Sequence, residues 1–229
     1  NGLFITGSMN YVKTEQETPQ VASGLGGNSS VVERLLYVPI MYDLTNLPFE
    51  DPVTGANVYN RTGVDNPYWV AKYAPYTSDV DRIYGKATVG YDITDWMTVT
   101  YQIGFNAYSD ARKDVVQKGS ADVPLGRVTL DDIYRQELDG NLLISMDKDF
   151  TEWFHARIIL GHNANQRFTR RKQQEGNGII VFGNNNFTNT ASQRVIRDEM
   201  FKQRFQGVFG DVSLSYQDTY FLNLVARND

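Results

Sequence analysis

The sequence predicts an all-β chain, an antiparallel up-and-down segment of a transmembrane β-barrel with long extracellular loops. Apolar and polar residues alternate in about seven runs, short and long connections alternate between the runs, and aromatic residues gather beside the short connections. An alternating strand presents one apolar and one polar face, as a strand between lipid and a wet lumen must. No apolar stretch approaches the roughly 20 residues that a membrane-spanning helix needs.

Six runs alternate with a period of two residues, which is the period of a β-strand. Their apolar faces run from Ile83 to Ile93, Met97 to Ala107, Leu138 to Met146, Phe154 to Leu160, Val208 to Tyr216 and Tyr220 to Ala226. A weaker run from Leu3 to Val12 is the seventh. None of the six apolar faces carries a charged residue, and most runs reach the ~9–11 residues that cross a bilayer at a tilt.

The opposite faces of these runs carry charged and amide side chains, as the wall of a wet lumen does. The charged residues predicted to face the lumen are Arg82, Lys86, Asp92, Asp139, Arg157, Asp211 and Arg227. A soluble β-sandwich also has one polar face, so this pattern does not by itself decide between the two folds.

The connections separate the two folds better, because short and long ones alternate without exception. The long connections have about 70 residues between the first and second runs, about 25 between the third and fourth, and about 30 between the fifth and sixth. Between them come turns at Thr94 to Trp96, Asp149 to Glu152 and Gln217 to Thr219. This rhythm is typical of a barrel with short periplasmic turns and long external loops, and Greek-key links do not produce it.

Aromatic residues lie within a few positions of every short turn. They are Tyr91, Trp96, Phe150, Trp153, Phe154, Tyr216, Tyr220 and Phe221. Aromatic rings prefer the level of the lipid headgroups, so this distribution predicts an interfacial girdle at one end of the barrel. Because seven strands cannot close a bacterial barrel, we expect the chain to be an internal fragment of a longer polypeptide.

Several short segments spread over the chain carry a family resemblance. They are Gly207 to Tyr216, Tyr220 to Asp229, Asn66 to Trp69, Thr77 to Arg82, Thr94 to Trp96 and Gly161 to Asn163. With these segments in this order, the chain resembles the barrel of SusC/RagA-type TonB-dependent outer-membrane transporters. All of residues 1–229 would belong to the barrel domain, without the plug or the TonB-contacting segment.

The resemblance implies a parent barrel of about 22 strands with a plug inside it, embedded in the lipid of a bacterial outer membrane. It implies TonB-energised import of oligosaccharides or peptides, with a SusD-like surface lipoprotein capping the barrel and the TonB complex as a further partner. The lumen-facing charged residues would then hold the plug through polar contacts.

The long loop, about residues 13–81, is rich in aromatic residues, which opposes disorder. We expect Tyr59, Tyr68, Trp69, Tyr73 and Tyr76 to contact the substrate or the capping partner, since tyrosine and tryptophan favour interfaces. The alternative is that these rings pack the loop against its neighbours. Residues 30–37 are predicted to form a short helical turn, and Arg170 to Arg197 a second polar loop.

Enzymatic and cofactor chemistry is not predicted. The chain has no cysteine, only two histidines, His155 and His162, and no phosphate-binding or dinucleotide motif. Carboxylates such as Asp79 with Asp81, or Asp131 with Asp132, are interpreted as solvated loop residues rather than a glycosidase pair. A net charge of −5 argues against nucleic acid.

Two other functions fit the alternation. A secreted all-β glycan-binding or glycan-degrading domain would share the alternating runs and the loop aromatics. A passive porin would share the barrel and would lack a plug.

Overall fold

A computed structural model describes residues 2–19, 30–36 and 38–229. In chain order the elements are β1 (Leu3–Pro19), α1 (Val31–Leu36), α2 (Pro67–Tyr73), β2 (Pro75–Thr94), β3 (Met97–Val116), β4 (Arg127–Thr151), β5 (Phe154–Ile179), a 3-10 turn (Phe187–Asn189), β6 (Thr190–Tyr216) and β7 (Tyr220–Asn228). The seven strands form one antiparallel sheet in sequence order. This up-and-down order confirms the predicted fold class.

The register between strands gathers the apolar residues of all seven runs on one face of the sheet. Leu142 on β4 lies opposite Tyr101 on β3 and His162 on β5. Ile158 on β5 lies opposite Met146 and Val212 in the same way. We call this side the apolar face, and the side that carries Arg82 and Asp139 the polar face.

The apolar face is covered by nothing else in the described part of the chain, and its large side chains are exposed. Leu142, Leu160, Leu222 and Leu224 are among the exposed residues that form it. A continuous apolar surface of this extent needs an apolar environment, because soluble proteins rarely leave such a surface open to water.

The three short turns lie at one end of the sheet, and the aromatic residues predicted for a girdle meet there. The rings of Trp153 and Tyr216 are 5.2 Å apart, and those of Phe150 and Phe154 are 5.8 Å apart. The Lys148 ammonium lies 4.5 Å from the centre of the Trp96 ring. These amphipathic side chains suit the boundary between lipid and water.

The last short turn is closed by two residues in the left-handed region. Gln217 has φ 52° and Asp218 has φ 49°. Two successive positive φ values match the right-handed twist of a tight hairpin, and aspartate adopts this conformation more readily than most residues.

At the other end, the strands run well beyond the predicted alternation. The long connections are residues 20–74, 117–126 and 180–189, shorter than the sequence suggested. The predicted loop from Arg170 to Arg197 is therefore wrong at both ends, since Arg170 lies on β5 and Arg197 on β6. Asp79 and Asp131 likewise lie on strands rather than in loops.

Charge pairing between strands explains these extensions. Arg171 Nε donates to Asp131 Oδ1 at 2.8 Å, and Arg194 Nη2 donates to Glu175 Oε1 at 2.7 Å. Where both faces of a strand carry polar side chains, the alternation disappears from the sequence. Asp131 and Asp132 point to opposite faces, which excludes them as a glycosidase pair.

Two glycines on the polar face lie directly under aromatic rings of the neighbouring strand. A Cβ atom on Gly161 would lie 2.1 Å from the Phe209 ring, and one on Gly90 would lie 2.0 Å from the Phe4 ring. An aromatic ring covering a glycine in this way helps to fix the register of the two strands.

The buried core lies beyond the strands, among the long connections. Trp69, Val70 and Ala74 pack with Val116 at the end of β3, and a second small cluster joins Val128 to neighbouring strand ends. Among the described residues, no helix has the length and apolar character required to cross a membrane.

Arginine placed on the apolar face tests the orientation of the sheet. In the full-length protein, we expect Leu142→Arg and Ile158→Arg to reduce the fraction of folded barrel in membranes, because a charge at the lipid midplane costs ~2–4 kcal/mol. Heat-modifiable migration of the membrane fraction on gels measures this fraction. Gln102→Arg, on the polar face, is the matched control and should assemble normally; equal assembly of all three variants would show that the faces are assigned wrongly.

Candidate functional site

The polar face brings together the charged residues that the sequence predicted for the lumen. Strand register places Arg82, Lys86, Asp92, Asp139, Arg157, Asp211 and Arg227 on this one face. Asp92 accepts a hydrogen bond of 2.8 Å from Thr98, and Arg227 pairs with Asp229 at 2.7 Å. Their functional role stays a prediction.

Amide side chains on β4 and β5 surround Asp139 in a network that the sequence reasoning did not identify. Asn141 donates to Asp139 at 2.6 Å, Asn163 at 3.3 Å and Asn165 at 3.1 Å. Asn163 also donates to Asn141 at 2.7 Å. The spacing of two between the asparagines was the available signal, because it places them on one face of a strand.

Further from the short turns, the polar face forms a shallow basin of about 330 Å³. One row of paired residues lines it as Tyr108, Arg135, Thr169 and Phe201, and Arg82 continues this row beside the cavity as the partner of Tyr108 on β2. The row next to it, nearer the short turns, contains Asn106, Glu137, Arg167 and Gln203 in the same strand order. We call these two rows the arginine–aromatic basin.

The two histidines lie on opposite faces of β5. On the polar face, His155 Nδ1 lies 2.8 Å from Asp149, and His155 Nε2 lies 3.5 Å from Asp147. His162 lies on the apolar face, opposite Leu142. Within the described ranges, no group of three or more histidine and carboxylate side chains is arranged to hold a metal ion.

Three of the five loop aromatics pack inside the long connections. Trp69 is 0 % exposed, and its indole nitrogen donates to the carbonyl of Gly55 at 2.9 Å. Tyr73 lies 5.5 Å from the Trp69 ring and 5.2 Å from Phe182 in the connection between β5 and β6. The Tyr59 ring contacts that of Tyr42 edge to face at 5.2 Å. These rings join neighbouring loops, as the alternative interpretation expected.

A contact role is incompatible with the burial of Trp69, so that part of the expectation is corrected. The ring is excluded from ligand because it fills the loop core. Tyr68 is 47 % exposed and presents one side to solvent, while Tyr76 lies on β2 and faces the polar side. These two remain available for contact with a ligand.

The segment from Asn66 to Trp69 forms the start of α2. The Asn66 side chain accepts a hydrogen bond from the Tyr68 backbone at 3.0 Å, and Pro67 occupies the first turn, where proline is favoured. The Asn57 side chain accepts from the Asn66 backbone at 2.6 Å. This motif is therefore structural.

The buried carboxylate of Asp65 ties three parts of the loops together. It accepts hydrogen bonds from the Ser120 hydroxyl at 2.6 Å and from the Ala121 backbone at 2.5 Å, and it lies 3.9 Å from the Arg34 guanidinium. The pKa of Asp65 lies above its usual value because burial raises it by more than the hydrogen bonds and the Arg34 charge lower it. The predicted helical turn is confirmed as α1, which carries Arg34, and Tyr37, the last residue of the predicted turn, lies outside the described residues.

Apolar side chains are exposed after α1. Ile40 is 101 % exposed and Met41 is 93 % exposed, while Leu36 and Val32 on the helix are also open. Exposed apolar residues clustered in one segment mark an interaction surface more often than scattered ones do.

Solved structures with the same strand arrangement identify the fold. The "open-open" state of the RagAB peptide importer matches with a TM-score of 0.71 over 100 % of this chain, at 12 % identity. Structures of the RagAB importer in the "closed-closed" state and of the RagAB transporter match with TM-scores of 0.62 over 72 %, at 10 % identity. The chain has the fold of a RagAB importer segment.

This RagAB-like segment spans only part of the matched proteins. It covers 26 % of the open-open chain and 19 % of the others. The fold resemblance to SusC/RagA-type transporters that the sequence motifs suggested is thereby confirmed. Comparison of the sequence with protein-family profiles and with curated proteins finds no match.

Removal of the Asp65 carboxylate should loosen the loops without disturbing the sheet. We expect Asp65→Ala to lower the stability of the loop core by about 3 kcal/mol or more, because it removes the carboxylate beside the buried Arg34 guanidinium. Limited proteolysis of the membrane-embedded protein should then cut between residues 30 and 74 faster. Asp43→Ala, at an exposed turn, serves as the control; equal cutting in both variants would contradict the structural role of Asp65.

Proposed function

We propose that the chain is part of an active importer that carries nutrient oligomers across a bacterial outer membrane. The observation that carries this proposal is the continuous apolar face opposite a polar face, in the fold of a RagAB importer segment. The apolar face would contact lipid and the polar face would line the passage. Transport then depends on binding and gated passage rather than on bond chemistry.

Peptides are the cargo we favour, since the matched structures are described as a peptide importer. The polar face offers what an extended peptide needs, namely amides that hydrogen-bond its backbone and rings that pack against its side chains. Oligosaccharides remain the other substrate class implied by the sequence resemblance.

The charged residues nearer the short turns are assigned to contact with a plug. Lys86, Asp92, Asp139, Arg157, Asp211 and Arg227 form this set on the polar face. Energy from a TonB complex would act through such a plug. Arg82 lies four residues before Lys86 on β2, further from the short turns, and borders the arginine–aromatic basin.

The exposed apolar segment after α1 is assigned to a SusD-like capping lipoprotein. Ile40 and Met41 are almost fully exposed on connections at the end of the sheet opposite the short turns. That end would face the cell exterior, where a surface lipoprotein could cover them. Burial of such side chains is the usual source of affinity in a protein interface.

Purification of the full-length protein from native outer membranes in mild detergent tests both assignments. We expect a lipoprotein and bound peptide to copurify, as identified by mass spectrometry. The Ile40→Asp, Met41→Asp double variant should lose most of the lipoprotein because charge replaces the apolar contact. Asn60→Asp, in the same connection, adds a charge without removing apolar surface and should retain it.

Two outcomes would contradict the proposal. Recovery of the wild-type protein from the soluble fraction would remove the importer function altogether. Membrane protein that carries the lipoprotein equally well with and without the apolar pair would leave import standing and move the docking surface elsewhere.

A further inference from the structure

Most arginines on the polar face are paired with a carboxylate on an adjacent strand or two residues away on the same strand. Arg167 Nε lies 2.9 Å from Glu137, and Arg171 Nη2 lies 2.5 Å from Asp131. Arg112 Nη2 lies 2.7 Å from Asp110. These pairs are complete in themselves and offer little to a charged ligand.

Two arginines of the arginine–aromatic basin differ from this pattern. Arg82 donates to the neutral amide oxygen of Asn106 at 2.9 Å, and the Arg135 guanidinium lies 6.0 Å from the centre of the Tyr108 ring. Within residues 2–19, 30–36 and 38–229, neither guanidinium lies in ion-pair contact with a carboxylate. Both side chains are exposed on the polar face.

The two arginines flank one tyrosine. Arg82 on β2 and Arg135 on β4 are the register partners of Tyr108 on β3 from its two sides. Two strand spacings separate their backbones, which is about 10 Å. A peptide in the polyproline II conformation has three residues per turn and a rise of about 3.1 Å per residue, so side chains three residues apart lie on one side about 9 Å apart.

The rest of the basin suits a peptide between the two charges. Tyr108 and Phe201 supply aromatic surface, and Thr169 and Gln203 supply hydroxyl and amide groups that can hydrogen-bond a peptide backbone. A guanidinium binds a carboxylate with two parallel hydrogen bonds, which is stronger and more directional than a neutral contact.

The position of the basin favours a ligand over structural packing. It lies where the apolar face gives way to polar residues, since Gln136 and Lys202 occupy the outward positions beside it. The basin therefore lies nearer the end of the sheet that carries the long connections than the end with the short turns. The end with the long connections is the side from which a ligand would arrive.

We propose that Arg82 and Arg135, with Tyr108 between them, bind two carboxylates of an acidic peptide spaced about three residues apart. The assignment rests on the proposed import of peptides and names the class of peptide. It makes this part of the wall a selectivity site for acidic cargo, distinct from the plug-contacting residues nearer the short turns.

Peptide binding by the full-length transporter with its partner lipoprotein tests the assignment. The probes are two fluorescent peptides that can adopt the polyproline II conformation and differ only in having Glu or Gln at two positions three residues apart. We expect the wild type to bind the Glu peptide about tenfold or more tightly, as two charge-assisted contacts would require. The Arg82→Gln, Arg135→Gln double variant should lose that preference and bind the Gln peptide within about twofold of wild type.

Two further variants separate selectivity from a structural role. Arg82→Lys with Arg135→Lys keeps the charge without the planar fork and should retain part of the preference. Arg170→Gln removes an arginine from the outward side of β5, next to Thr169, and should retain the full wild-type preference.

Each other result overturns the assignment in a recognisable way. Equal loss of both peptides in the double variant would mean that the arginines support the fold or the plug. A wild type that binds both peptides equally would refute the acidic site and leave peptide import intact. Binding of neither peptide would overturn the acidic-peptide site and the choice of peptides as cargo together, and arginine-dependent binding of oligogalacturonate alone would replace the peptide by an acidic oligosaccharide.

Discussion

Register between neighbouring strands is the constraint on which the rest of the structure depends. A side chain on a strand faces one of two sides, so a slip by one residue would carry every apolar residue of that strand to the other side. Leu142, opposite Tyr101 and His162, shows the register that keeps one side apolar across the sheet. The backbone groups of β2 to β5 pair with a neighbouring strand on each side.

The same sheet changes character along its length. Near the short turns, one side of the sheet is apolar and the other carries polar contacts such as those around Asp139. Beyond the apolar face, ion pairs such as Arg171 with Asp131 connect the strands, and the connections form a small core around Trp69. The part of the sheet with the apolar face, the arginine–aromatic basin and the long connections are therefore successive zones of one structure, each suited to a different environment.

The fold was largely predictable because a sheet with one apolar and one polar face has a period of two that remains visible in sequence. The strand extensions were not, since β4 and β5 beyond the apolar face pair through charges such as Arg167 with Glu137, which have no fixed period. Trp69 was misinterpreted because burial inside a loop and exposure at an interface favour the same residue type. The basin was also missed, since only the register of β3 places Arg82 and Arg135 on either side of Tyr108.

The most direct test of the account is the accessibility of spin labels on adjacent residues. The chain has no cysteine, so single cysteines can be introduced at Asn141, Leu142, Arg157 and Ile158 of the full-length protein in lipid bilayers. We predict that labels at Leu142 and Ile158 collide with oxygen dissolved in lipid, and labels at Asn141 and Arg157 with a water-soluble nickel complex. Equal access of the nickel complex to all four labels would contradict the assignment of one face to lipid.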